Sequence, residues 1–161
     1  GEGVLSRQGS FGSWQLDVRG YLPVADGMLL AARTRAGSVT PEAPFYERFY
    51  LGGLYTVRGF PSQALSLPQG NLNFGTGSIE LRSSWIGPAA NPRLVALAFL
   101  DAGVGWNRNA PAADEIAVGA GYGFRLRVPW LGRIGLDVGR PLTRSPVEEA
   151  FHSNASLGWT F

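Results

Sequence analysis

There is no cysteine in this sequence, which excludes a disulfide framework and any thiolate metal site. A single histidine, His152, is too little for a histidine-based metal centre, so neither a metal nor another cofactor is expected. Long apolar runs are missing as well. No stretch approaches the roughly 18 uninterrupted apolar residues that a spanning helix needs, so a helical membrane protein is excluded. Charge of one sign is scarce: 14 basic against 12 acidic side chains leave +2, dispersed along the chain, and nucleic acid is not an expected partner. The opening GEGVLSRQGS has no charged region followed by an apolar one, so no signal peptide is expected there.

Glycine and aromatic residues are plentiful instead. The 161 residues include 23 Gly, 9 Phe and 5 Trp, with 45% hydrophobic residues, a composition that favours β architecture in one domain or one piece of a larger one. Segments near 14–22, 28–37, 75–86, 93–106, 115–128, 132–140 and 151–161 alternate with period two, as strands with unlike faces do. In 115–128, Ile116, Val118, Ala120, Tyr122, Phe124, Leu126 and Val128 share one face. Gly119, Gly121, Gly123, Arg125 and Arg127 share the other. Trp14, Leu16, Val18 and Leu22 likewise oppose Asp17 and Arg19, while Ile134, Leu136 and Val138 oppose Asp137. Charges never interrupt the oily face.

Connections near 23–27, 87–92 and 129–131 are short, whereas 38–74, 107–114 and 141–150 are longer. Short turns on one side and longer loops on the other is the arrangement of a transmembrane β-barrel, with the chain ending on the short-turn, periplasmic side. Alternation alone fits a soluble barrel with its oily face inside equally well. Tryptophan placement favours lipid outside: Trp14 and Trp106 fall at long-loop ends, Trp85 and Trp159 at short-turn ends, and Trp130 in a short turn. With the terminal Phe161 these make two aromatic belts, and a lipid bilayer is the expected surround. The glycines of 115–128 gain nothing from water on the polar face, so something bulky is expected to press on them from inside.

The 38–74 connection contains YLGGLYTVRGF, with one arginine between a valine and a glycine. A turn centred near 89–90 places Glu80 opposite Phe99 and Asp101 opposite Ser78. The two carboxylates are then diagonal neighbours roughly 7–8 Å apart, and they need a cation. Arg58 is the candidate, because a guanidinium fork binds carboxylates at two points. The loop is expected to fold back so that Arg58 meets Asp101 and Glu80 over a glycine floor of Gly103, Gly105, Gly119, Gly121 and Gly123.

VRGF in this loop, FLDAGVGW in the strand after it, and the aromatic-ended FHSNASLGWTF together resemble the BamA superfamily of outer-membrane assembly factors and secretion transporters. The resemblance implies that Val57, Arg58, Gly59 and Phe60 form a loop motif entering the barrel, and that Phe99, Asp101 and Gly103 form the strand motif receiving it. It covers nearly the whole chain. The fold it implies is all-β: an antiparallel transmembrane β-barrel of about seven or eight meandering strands, the C-terminal half of a 16-stranded barrel. Residues 1–161 are then a single barrel domain or a C-terminal fragment. Seven strands do not close an ordinary barrel, so an eighth from residues 1–8, the missing N-terminal half, or self-association is expected to cover the edges.

The function implied is insertion, assembly or translocation of β-rich polypeptides at the bacterial outer membrane, with 151–161 offering its edge to an incoming strand. The alternative is a barrel that only anchors or translocates a passenger, such as a patatin-like lipase encoded upstream. No GxSxG, Walker or HExxH motif is present, and Gly119 to Gly123 lies in a strand without dinucleotide spacing, so no enzyme is expected. His152 is expected to be a hydrogen-bonded histidine on the polar face, Glu148 and Glu149 a solvated pair, and the sequon at Asn154 inaccessible.

Overall fold

The computed structural model describes residues 10–88, 91–109, 111–112, 115–130, 132–143 and 151–157. Its strands are β1 Ser13–Ala25, β2 Met28–Val39, β3 Asn73–Ile86, β4 Leu94–Trp106, β5 Ala117–Val128, β6 Gly132–Pro141 and β7 His152–Leu157. They form one antiparallel sheet in chain order, with β1 and β7 at its open edges. The connection between β2 and β3 holds a 3-10 turn, Phe45–Glu47. Residues 1–8, Glu148, Glu149, Trp159 and Phe161 lie outside the described residues, and with them the expected eighth strand and the end of the last one.

Each strand follows from its period-two pattern, and each short turn sets a register. Asp26 and Gly27 join β1 to β2, with Gly27 at φ 71°. Between β5 and β6, Trp130 and Gly132 take φ values of 75° and 89°. The first three strands are longer than their patterns suggest. β1 continues through Pro23 to Ala25, with a register shift between the two. Proline lacks the N–H that a central strand must donate, but an edge strand tolerates that loss at an irregular position. The long connection is correspondingly shorter, 40–72, because β2 runs to Val39 and β3 starts at Asn73.

The two faces of the sheet have opposite fates. Ile79, Leu100, Tyr122, Phe124 and Leu136 stand 40–54% exposed on the oily face, whereas Glu80, Asp101 and Asp137 on the polar face are only 1–2% exposed. An oily face left open across the middle of the sheet rules out the soluble barrel with its greasy side inside, because burying those side chains is what drives such a fold. Trp14, Trp85 and Trp130 are exposed at the strand ends and turns, and Trp106 is half-buried.

The 40–72 connection covers the polar face. Its stem closes where Val39 N–H donates to the Leu72 carbonyl at 2.8 Å and Phe49 pairs with Asn71 through two 2.9 Å backbone bonds. Further along, the Leu51 N–H donates to Ser66 Oγ at 2.6 Å. Val57 and Phe60, both fully buried, then pack with Ala117 of β5 and Leu65. Burying a phenylalanine this way contributes on the order of 1.5–3 kcal/mol.

Candidate functional site

Hairpin registers bring the charged residues together. Glu80 of β3 stands opposite Phe99 of β4, and Ser78 opposite Asp101. In the next hairpins Asp101 faces Gly119, Phe99 faces Gly121, and Gly123 faces Asp137 of β6. The sheet thus carries three carboxylates on one face around a patch of small residues and one phenylalanine.

Arg58 enters this patch from the loop. Its Nε donates to Asp101 Oδ2 at 2.7 Å and its NH2 to Asp101 Oδ1 at 2.8 Å, a two-point grip on one carboxylate. Its backbone N–H also donates to Asp101 Oδ2, at 3.0 Å. NH1 donates to Glu80 Oε1 at 2.5 Å and lies 3.6 Å from Asp137 Oδ2, while NH2 also reaches Ser78 Oγ at 3.1 Å. Ser78 in turn donates to Asp101 Oδ1 at 2.6 Å. The guanidinium carbon sits 3.8 Å from the centre of the Phe99 ring, close enough for cation–π attraction.

The remaining carboxylate oxygens have their own cations. Arg82 donates to Glu80 Oε2 at 2.8 Å, and Arg125 donates to both oxygens of Asp137 at 2.7 and 2.8 Å. Three guanidinium groups therefore meet three carboxylates in a buried, electroneutral cluster. Burial works to lower the Arg58 pKa. The hydrogen bond and charge of Asp101, with the charges of Glu80 and Asp137, override it and hold the group above the ordinary arginine value. Arg58 stays charged at any working pH.

The neighbours of Arg58 explain why the loop reads VRGF. Gly59 has φ 92°, and a side chain there would meet the Arg140 carbonyl oxygen at 2.7 Å, so only glycine fits. Val57 and Phe60 flank it as buried anchors. Gly52 and Gly53 also take positive φ, 109° and 87°, bending the loop before its tip.

The glycine floor has two kinds of occupant, which the sequence reading merged into one. Loop residues press on three of its members: Val57 on Gly103, Asn71 and Leu51 on Gly105, and the Arg58 carbonyl with Phe60 on Gly119. The other two make room within the sheet itself. Gly121 accommodates the Phe99 ring and Gly123 the Asp137 carboxylate, so these glycines seat the groups that hold Arg58 rather than the loop. Gly139 supports the same ring from β6.

Asp137, Arg82 and Arg125 belong to the cluster, although sequence reasoning singled out only Glu80 and Asp101. The signal was available: a turn centred on 130 pairs Gly123 with Asp137, the same arithmetic that pairs Glu80 with Phe99. His152 departs from expectation. Its Nε2 is buried without a hydrogen-bond partner among the described residues, as are Asn154 Nδ2 and Ser156 Oγ along the same face of β7. β7 is the last described strand, so no further strand stands beside it to supply partners. Among the described residues no group of three or more His, Asp and Glu is placed to hold a metal ion.

An open antiparallel sheet with a greasy outer face, its polar face plugged by an arginine-bearing loop, defines a portion of an outer-membrane-type β-barrel. The chain belongs to the Omp85 superfamily, whose domain matches residues 2–161. It is 27% identical over 153 residues to the outer membrane protein assembly factor BamA of Nitratidesulfovibrio vulgaris strain Hildenborough, covering 88% of this chain and 19% of that protein. The crystal structure of BamA from Haemophilus ducreyi lacking POTRA domains 1–3 superposes with a TM-score of 0.74 at 17% identity. That match covers 91% of this chain and 35% of the other, and shows a shared fold. The chain thus spans about a fifth of the length of the curated relative it matches.

Proposed function

We propose that this chain is the C-terminal part of a bacterial outer-membrane barrel that helps insert or assemble β-barrel proteins. Membership of the Omp85 superfamily and the likeness to an assembly factor support this reading. The observation that carries it is the buried Arg58 cluster, which ties loop 40–72 to β3, β4 and β6 through ion pairs. Such a tie keeps the polar face occupied and the sheet in one shape. Flexibility is then left to the edges. The outer edge of β7 has no partner among the described strands, and an open row of backbone donors and acceptors is able to pair with an incoming strand. On this reading the long connections lie outside the cell and β7 ends toward the periplasm.

The test uses the full-length protein in phospholipid vesicles, with an unfolded β-barrel protein added and its insertion followed by protease protection. Insertion should be faster than into empty vesicles, and a cysteine at Ser153 or Ala155 should crosslink to the arriving chain. A barrel that merely anchors a passenger domain would show no acceleration and no crosslink.

A further inference from the structure

The oily face of the sheet carries one exception to its freedom from charge. In the register of the strands, every described side chain that shares a face with Ile79, Leu100, Tyr122 and Leu136 is uncharged on β1 to β5 and on β7, while β6 adds Arg140. Arg140 stands opposite Ala120 of β5, two residues beyond Val138 on the same face. It is exposed, and among the described residues it has neither a hydrogen-bond partner nor an ion pair. β6 is 10 residues long, Gly132–Pro141. About 9–11 residues is the length with which a tilted strand crosses a bilayer. Trp130 lies in the turn before β6 and Arg140 is its last residue but one, so the arginine stands at the opposite interface, the long-loop rim where Trp14 and Trp106 sit. Its surroundings there are greasy. Leu142 just past the strand end is 51% exposed, and Phe151, one step beyond the Gly139–His152 pair of β6 and β7, is 65% exposed.

We propose that Arg140 binds the phosphate of an anionic lipid headgroup. A charge on the lipid-facing side of a barrel strand is costly at the bilayer centre and tolerated at the interface, where counter-charges are at hand. With no described carboxylate against Arg140, the anions at that level are lipid phosphates, and a planar guanidinium grips a phosphate at two points. The same strand suits the rest of such a lipid, because Val138, Leu136 and Ile134 continue below Arg140 on the same face as a surface for acyl chains. An acidic polypeptide is the less fitting occupant, since the guanidinium opens onto the greasy face of the sheet and not onto the polar one. On the inner side, the Arg140 backbone carbonyl lies against Gly59 of the loop tip, so a substitution of the side chain leaves the seat of the loop in place. The inference rests on lipid contact with the oily face and not on the assembly role above.

The probe is phosphatidylglycerol, titrated into the full-length protein in dodecyl maltoside, with bound lipid counted by native mass spectrometry. Phosphatidylcholine, whose headgroup bears no net charge, is the reference. Phosphatidylglycerol should bind the more tightly, and added salt should weaken it. Arg140→Gln should weaken the first lipid bound about fivefold, whereas Arg127→Gln, which removes the same charge from an exposed site on the polar face, should leave it unchanged. Arg140→Lys keeps the charge and should bind within about threefold of wild type, which separates a lost charge from a disturbed fold. Inorganic phosphate at matched ionic strength should not displace the lipid. Equal affinity for the two lipids, no loss in Arg140→Gln, or an equal loss in Arg127→Gln would overturn the proposal. So would displacement by inorganic phosphate, which would assign Arg140 to a soluble ion.

Discussion

The Arg58–Asp101 pair allows a quantitative test of the loop's attachment. Arg58→Ala removes two side-chain hydrogen bonds to Asp101, one to Glu80, one to Ser78 and the stacking on Phe99, and leaves Asp101 with only Ser78 and a backbone N–H. The backbone N–H of residue 58 survives the substitution, so it limits the loss slightly. Breaking a buried pair from one side costs about 3–5 kcal/mol, chiefly because the other charge is stranded. Glu80 is better protected, since Arg82 still holds its second oxygen. A double-mutant cycle with Asp101→Ala should therefore give a coupling of about 2–3 kcal/mol, and the cycle with Glu80→Ala about 1 kcal/mol. Urea unfolding of the protein from phospholipid vesicles, followed by tryptophan emission, supplies the four stabilities of each cycle. An Arg58–Asp101 coupling below about 0.5 kcal/mol, or a larger coupling to Glu80, would refute the reasoning.

Three further outcomes follow from the same geometry. Gly59→Ala meets both a left-handed backbone and the Arg140 carbonyl, so it should loosen the loop by about 2 kcal/mol or more and speed protease cleavage within 40–72. Gly121→Ala drives a methyl against the Val138 carbonyl oxygen and the Gly139 backbone of β6 as well as the Phe99 ring; it should destabilise the protein by about 1–3 kcal/mol, with or without Arg58, and urea unfolding at the wild-type midpoint would speak against this close approach. Leu136→Arg, on the greasy face of β6, should lower stability in a bilayer by about 2–4 kcal/mol, and an unchanged urea midpoint in vesicles would count against lipid contact there.

Much of this architecture was legible because local rules fix it. A two-residue alternation marks each strand, and a short turn between two strands sets which residues oppose each other, so the Glu80–Phe99 and Ser78–Asp101 pairings could be read from the hairpin centre alone. The same rule applied to the hairpin of β5 and β6 would have delivered Asp137. The interior of loop 40–72 obeys no such rule. Its Phe49–Asn71 bridge and its Leu51–Ser66 contact join residues 22 and 15 apart with no periodic pattern between them. Which glycines seat the loop and which seat Phe99 or Asp137 was equally hidden, since the residues look alike on the strand and differ only in what stands above them. Pro23 misled for the opposite reason: a strand breaker in the abstract is harmless at an edge.

The balance of charge around Arg58 has a consequence for any excursion of the loop. With the tip withdrawn, Arg82 would keep Glu80 and Arg125 would keep Asp137, but Asp101 would lose the guanidinium that grips it, with Arg33 and Arg35 on the wall of the vacated hollow as its nearest remaining cations. Water, a small cation or one of those neighbouring arginines would have to take the place of Arg58 before such a state could persist. Departure of the tip is thereby tied to the ionic make-up of the surroundings, and the loop behaves as a tethered counter-ion whose return restores neutrality.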